Sequence, residues 1–298
     1  MSAQTIHLDY VHLLPSPAEG TTRFVLLSDT HSATFPVPDG HVLLHAGDLT
    51  RRGNLRGLRR TMEYTLPHPI KMLMSIQFYE KERWLTLGRI IAGNRDFALH
   101  REWYDGNWEK LADDGRPAVW EPPDPISDLL TGPRAIAANV VYLQDQEYRF
   151  RVREGGREWS VFGSPGTPNF KDRIVPAIAT FPATDILYAL SPSLPLQILT
   201  KGSMTHGPPR GILDLTTGGG HAGCPALAAR LPALRPRLHV FGHIHEARGT
   251  HVHQWQGAEG SRRQEETLFV NAANWPARHA RQAAGGPGRQ PIVVDLAG

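Results

Sequence analysis

Five short segments of this 298-residue chain carry side chains suited to holding divalent cations. They are Ser28-Asp29-Thr30-His31, Ala46-Gly47-Asp48, Ala92-Gly93-Asn94-Arg95-Asp96, Met204-Thr205-His206-Gly207 and Phe241-Gly242-His243-Ile244-His245. Two aspartates, an asparagine and four histidines make a hard-to-borderline donor set of oxygen and nitrogen. That mixture suits Mn, Fe or Zn better than Ca, which prefers oxygen alone. Thiolate is missing from the set, which disfavours a structural zinc site. Asp48 ends a short apolar run in the middle of the set and is placed to be shared by two ions. A pair of cations can clamp a phosphate and activate a water between them. Taken singly, each residue has a plainer reading: Asp48 as a helix cap, Asn94 as a left-handed turn residue, His206 as a loop residue, and His243 with His245 as a polar pair on one strand face. It is the ordered set of five that points to chemistry.

The order Asp-x-His, Gly-Asp, Gly-Asn-x-Asp, His and Gly-His-x-His resembles the calcineurin-like metallophosphoesterases. The stretches Phe162-Gly-Ser-Pro165, Thr205-His-Gly-Pro-Pro209 and Leu238-His-Val-Phe-Gly-His-Ile-His-Glu246 resemble the branch related to class III cyclic-nucleotide phosphodiesterases, over about residues 23–295. The resemblance implies a metallo-dependent phosphatase-like α/β fold, a four-layer α-β-β-α sandwich with two mixed sheets. It implies two divalent metal ions, one held by Asp29, His31 and His245, the other by Asn94, His206 and His243, with Asp48 bridging. It further implies a hydroxide held between the cations that attacks a small phosphate ester in line. On branch similarity the favoured ester is a phosphodiester such as a cyclic nucleotide. Two alternatives stay open: a scaffold with little or no turnover, and a phosphomonoesterase or protein phosphatase.

The chain departs from the family pattern at two places. The family usually has histidine where this chain has Arg95. An arginine is too basic to serve as a general acid, but it can grip a phosphoryl oxygen through two N–H groups. Arg95 is therefore expected to clamp charge, with Asp96 orienting it, and these two are the catalytic candidates. The second departure is a possible insertion at 72–89, between Pro67-His-Pro-Ile-Lys71 and the run that leads into Asn94, expected to disturb strand pairing there.

The elements that must position these residues are short apolar runs, and each candidate segment directly follows one or lies a few residues beyond it. Phe24–Ser28, Val42–His45, Arg89–Ala92, Val140–Leu143, Trp159–Phe162, Gln197–Thr200, Leu238–Phe241, Thr267–Val270 and Pro291–Asp295 read as strands buried on both faces. Ligands in α/β sheets collect beyond the carboxyl ends of strands, so distant segments can meet there. Helical spacing is present at Asn54–Leu66 and Cys224–Leu234. Asp113–Arg134, Gly202–Gly223 and Gln254–Glu266 read as Pro/Gly-rich or polar connections, the last as a long hairpin tip or disordered loop. No repeat or strong linker divides the chain, so a single domain over 1–298 is expected. The other eleven histidines, His221, His239, His251 and His253 among them, have no compelling partner in the sequence.

The 32 basic and 29 acidic residues leave a net charge of +3. That excess does not argue for a nucleic-acid polymer as partner. A single cysteine, Cys224, permits no internal disulfide, and the first ten residues lack the basic start and apolar run of a secretory signal. No run approaches the ~20 apolar residues of a membrane helix. A cytoplasmic location without membrane partners is the expectation.

Overall fold

The computed structural model describes residues 4–10, 14–33, 35–51, 53–64, 87–91, 96, 99, 104–105, 123–164, 182–188, 206–256, 266–275 and 289–298. In chain order its elements are β1 (Gln4–His7), β2 (Thr21–Leu27), β3 (Val42–Ala46), α1 (Leu55–Tyr64), β4 (Leu87–Ile91), α2 (Pro123–Thr131), α3 (Pro133–Ala137), β5 (Val140–Tyr142), β6 (Gln146–Arg151), β7 (Glu158–Gly163), β8 (Ile186–Tyr188), α4 (Pro225–Leu234), β9 (Leu238–Phe241), a 3₁₀ turn (His245–Ala247), β10 (Gly249–Gln254), β11 (Glu266–Asn271) and β12 (Ile292–Ala297).

Two six-stranded sheets form, ordered β1-β12-β2-β3-β4-β5 and β10-β11-β9-β8-β7-β6. Each is mixed. The first is parallel from β2 to β5 and antiparallel at β12 and β1. The second is parallel from β7 through β8 and β9 to β11, with antiparallel edges β6 and β10. Alternate residues of each strand point to opposite faces. Phe24, Leu26, Val42, Leu44 and Val294 of the first sheet thus meet Trp159, Val161, Leu238, Val240 and Val270 of the second in one buried core. On the outer face of the first sheet, Leu27, Leu43, Ile90 and Val140 pack with Leu58 of α1, Leu130 of α2 and Ala135 of α3. On the outer face of the second, Phe162, Leu187, Phe241 and Phe269 pack with Leu227, Leu231 and Leu234 of α4. The expected α-β-β-α layering is what these three cores produce.

Local chemistry sets the helix ends. The Asn54 side-chain oxygen accepts the N–H of Gly57 at 2.9 Å, a cap of the usual kind. Cys224 Sγ accepts the N–H of Leu227 at 3.3 Å, and Pro225 follows in the first turn, where its missing N–H is harmless.

Several expectations need correction. The stretch 113–134 is not all connection: Pro123 and Pro133 each open a helix, so proline read as a breaker marks two starts. The disturbance expected before Asn94 is not seen, because β4 pairs with β3 from Leu87 to Ile91 and with β5. The rest of the supposed insertion, 72–86, lies outside the described residues, as does the expected strand 197–200. Gln254–Glu266 is a hairpin whose base is closed by the Gln254–Glu266 pair; 257–265 lie outside the described residues. Among the described residues no helix is long and apolar enough to cross a membrane.

The end of the sheets away from the candidate segments is held by a buried ion pair. Arg23 donates to both oxygens of Asp295, each at 2.7 Å, and both side chains are nearly inaccessible. Removing one partner leaves a buried charge without its counter-ion. Asp295→Ala is therefore expected to cost about 3–5 kcal/mol of unfolding free energy, read from urea denaturation, without loss of metal content per folded molecule. A cost under about 1 kcal/mol, the range of an exposed pair, would show that the pair is not buried as described.

Candidate metal centre

The candidate residues follow the carboxyl ends of β2, β3 and β9 and the loop that closes at Cys224. The β2 and β3 loops are stitched together through the backbone: Asp29 N–H to Gly47 O (2.9 Å), His31 N–H to Asp48 O (3.0 Å) and Ser32 N–H to Leu49 O (2.9 Å). This pairing continues past the strands only because the chain turns left-handed. Asp29, His31, Asp48 and His243 have φ of 54°, 48°, 53° and 69°, a conformation that costs about 1–2 kcal/mol in a residue bearing Cβ. Such strain persists where surrounding contacts over-determine it, and it gathers at functional sites.

The side-chain tips converge. Asp29 Oδ1 lies 3.0 Å from His245 Nε2, 3.6 Å from His206 Nε2 and 3.9 Å from His31 Nε2. His31 Nε2 and His245 Nε2 are 3.4 Å apart. Asp48 divides its oxygens: Oδ1 is 3.3 Å from His206 Nε2 and Oδ2 is 3.7 Å from His31 Nε2. Two groups of donor atoms result, Asp29–His31–His245 and Asp29–Asp48–His206, each within 4.8 Å throughout. Two ligands bound at about 2.1 Å to one tetrahedral or octahedral ion sit roughly 3–3.5 Å apart, and most of the measured separations fall close to that. The first group is the set that the family resemblance implied for one ion. In the second, Asp29 takes part alongside Asp48 and His206. His243 belongs to neither group. Its ring packs edge-on against His206 with centroids 5.2 Å apart, and its backbone N–H donates to Asp29 Oδ2 at 2.9 Å. Asn94 and Arg95 lie outside the described residues.

The electrostatics suit a cation. Asp29 and Asp48 are buried, and burial alone would raise their carboxyl pKa values. The crowding of His206, His245 and His31 around Asp29 holds it well below the ordinary carboxylate range, and His206 and His31 hold Asp48 below it too. Burial lowers His31 and pushes His243 down to about 4. Burial opposes protonation of His206 as well, yet Asp48 and Asp29 raise it to about 9. His206 Nδ1 donates to the Ala46 carbonyl at 2.8 Å. That bond fixes the tautomer and turns Nε2 toward the two carboxylates, the arrangement expected behind a metal-bound imidazole. Two anionic carboxylates and three Nε2 atoms, in two groups that share Asp29, form a cage suited to divalent ions.

Each ligand loop has a polar support. Asp96 accepts Leu49 N–H at 2.9 Å and both the N–H and hydroxyl of Thr50 at 2.8 Å, so it anchors the Asp48 loop. Asn271 donates to Ile244 O at 2.9 Å and steadies the His243–His245 loop. Sequence reasoning missed Asn274, which accepts Ser28 N–H at 3.1 Å and donates to Arg289 O at 2.8 Å. It also missed Ser28, whose hydroxyl donates to Ala46 O at 3.0 Å. The short spacing from Asn271 to Asn274, after a strand that adjoins β9, was the only available signal. Glu246 and Arg248 tie loops together: Glu246 accepts Thr217 N–H at 3.0 Å, and Arg248 donates to Leu8 O and Gln290 O.

The sequence profile of calcineurin-like phosphoesterases matches residues 22–247. Metallophosphoesterase domain-containing protein 1 of Homo sapiens and that of Mus musculus are each 31% identical over 312 aligned positions, covering 96% of this chain and 74% of theirs. A protein named probable rhamnogalacturonate lyase C, from Emericella nidulans, is 29% identical over 263 positions, covering 86% of this chain but 20% of its own. The chain belongs to the calcineurin-like phosphoesterases, hydrolases that act on phosphate esters.

Gly242 makes the close approach possible. A Cβ there would sit 2.1 Å from both Asp29 Oδ2 and Ser28 Oγ. Gly242→Ala is expected to push the β9 loop off Asp29 and weaken metal uptake roughly 10- to 100-fold, the range for disturbed ligand supports, as measured by competition with a chromogenic chelator. Wild-type affinity in a folded variant would mean that this contact does not set the cage.

Proposed function

We propose that this chain hydrolyses a small phosphodiester, a cyclic nucleotide being the favoured kind, at a site that takes two divalent cations. The observation that carries the reading is the convergence of Asp29, His31, Asp48, His206 and His245 on shared carboxylates at the strand ends of a phosphoesterase-family chain. Asp29, His31 and His245 would hold one ion. His206, with Asn94 and His243, would hold the other, and Asp48 would be shared. Mn, Fe and Zn all suit these donors. When bound, such ions supply a Lewis-acidic clamp on phosphoryl oxygen and make a water acidic enough to attack at neutral pH.

The chain's own residues do the rest. Ala46 O and Asp96 hold His206 and the Asp48 loop in place. Arg95 we assign to gripping a non-bridging phosphoryl oxygen, where a fixed positive charge is worth most as negative charge grows. Asp96, its neighbour in the chain, would position it. The whole of 1–298 is taken as one catalytic domain. The single core shared by both sheets supports this, as does the span of the family match.

Elemental analysis of the purified protein, followed by assay of bis(p-nitrophenyl) phosphate, p-nitrophenyl phosphate and cyclic nucleotides with added Mn²⁺, tests the reading. About two ions per chain with preference for diesters is expected. Preference for the monoester would favour the phosphomonoesterase alternative, and bound metal without turnover of any ester the scaffold. Asp48→Asn, which removes the shared charge, is expected to leave one ion or fewer and to abolish turnover. Unchanged occupancy and rate would overturn the bridging assignment.

A further inference from the structure

One buried histidine beside the cage is not among its donors. His45 is the last residue but one of β3, and Thr30 stands between Asp29 and His31. Both are wholly inaccessible. His45 Nε2 lies 3.0 Å from the Thr30 hydroxyl oxygen. Burial pushes His45 down to about 3, so the ring is neutral and adds no positive charge beside a cation. The direction of the shared hydrogen follows from Leu49. Its carbonyl takes the Thr61 hydroxyl at 2.6 Å and the Ser32 N–H at 2.9 Å. Those donors fill its two lone pairs, and Thr30 Oγ1 is the farthest of the three groups around it, at 3.3 Å. The Thr30 hydroxyl therefore turns its hydrogen to His45 Nε2.

That assignment leaves the ring hydrogen on His45 Nδ1, a buried atom without a hydrogen-bond partner among the described residues. An apolar side chain in the same place would carry no such cost. What the imidazole adds is the bond to Thr30, and that bond joins the roots of both carboxylate loops. Asp29 and His31 flank Thr30 in the chain. Ala46, the residue after His45, accepts His206 Nδ1 at 2.8 Å. Asp48 follows two positions later, and the next residue, Leu49, has its N–H held by Asp96 at 2.9 Å. The backbone ladder between the two loops is common to any side chains. The Thr30–His45 bond is the part of the frame that a single substitution removes.

We propose that Thr30 and His45 are positioning residues of the metal centre, their shared hydrogen bond setting the spacing of the Asp29–His31 loop from the Asp48 loop. They act through Asp29, His31, Asp48 and His206 rather than on metal or substrate. This rests on the reading above, in that it takes the cage to bind cations.

A double-mutant cycle on Zn²⁺ affinity tests this, with Thr30→Val and His45→Leu as its two arms. Affinity is read by competition with a chromogenic chelator, and the metal-free variants are unfolded in urea alongside. Each single change is expected to weaken Zn²⁺ uptake about 10- to 100-fold. The double variant should be no more than about threefold weaker than the worse single one, because both arms remove the same bond. Thr30→Ser, which keeps the hydroxyl, should restore wild-type uptake. Single variants that lose stability yet keep wild-type affinity per folded molecule would make the pair a plain core contact and overturn the proposal. So would losses that multiply in the double variant, or a serine variant as weak as the valine one. Should valine at position 30 prevent folding, Thr30→Ala against Thr30→Ser reads the same difference. Wild type that takes up no Zn²⁺ would instead overturn the metal-centre reading, and this one with it.

Discussion

The structure depends on two carboxylates, Asp29 and Asp48, held side by side in its interior. A buried carboxylate costs several kcal/mol unless it is paired and hydrogen-bonded, and two together repel. The fold meets that cost with directed groups. Asp29 has His245, His206 and His31 around Oδ1, and the His243 N–H on Oδ2. Asp48 faces His206 with one oxygen and His31 with the other. The same geometry that lets imidazoles compensate the charge lets a cation do so. The suitability of the site for a cation is thus a consequence of how the buried charge is tolerated.

The left-handed turns at Asp29, His31, Asp48 and His243 belong to the same account. A strand that continued straight would carry its next side chain past the sheet end. A left-handed residue turns the chain back and aims that side chain inward. The strain is held by the ladder between the β2 and β3 loops, by Trp275 N–H on Asp29 O, and by the carboxylate of Asp96 under Leu49 and Thr50. Those supports come from three separate stretches, which makes the turns a property of the assembled fold and not of local sequence.

That distinction explains what could be read from the chain. Val42–His45, Leu238–Phe241 and Pro291–Asp295 are continuous apolar runs, and continuous runs announce strands covered on both faces. β6 and β10 were not legible: Glu147-Tyr-Arg-Phe-Arg151 and Thr250-His-Val-His-Gln254 are polar edge strands with one weakly covered face. β8 has three residues, too few to show a period. The ligand types were legible because Asp, His and Asn in fixed local order are rare together. Which atom faces which was not, since Asn274 reaches Ser28 across 246 positions and Asp96 reaches Leu49 across 47. His221 was dismissed for want of a neighbour, although its partner lies only seven positions away. A turn built on Thr216 and Gly220 brings the two together, and the sequence there reads simply as glycine-rich.

The cage also lies across the seam between the sheets. Asp29, His31 and Asp48 follow strands of the first sheet, and His243 and His245 follow a strand of the second. The backbones meet there through the Ser28–Ala273 bridge and the tight approach of Gly242 to Ser28. An ion held by Asp29, His31 and His245 would therefore fasten one sheet to the other at the end opposite the Arg23–Asp295 pair. Binding to the folded state alone stabilises it in proportion to the logarithm of ligand concentration over Kd, so metal occupancy and sheet packing form one linked equilibrium. Phe24, Trp159 and Val240 between the sheets keep the seam aligned closely enough for donors from both sides to share Asp29. The apolar core is in this sense what sets the separation of the candidate donor atoms.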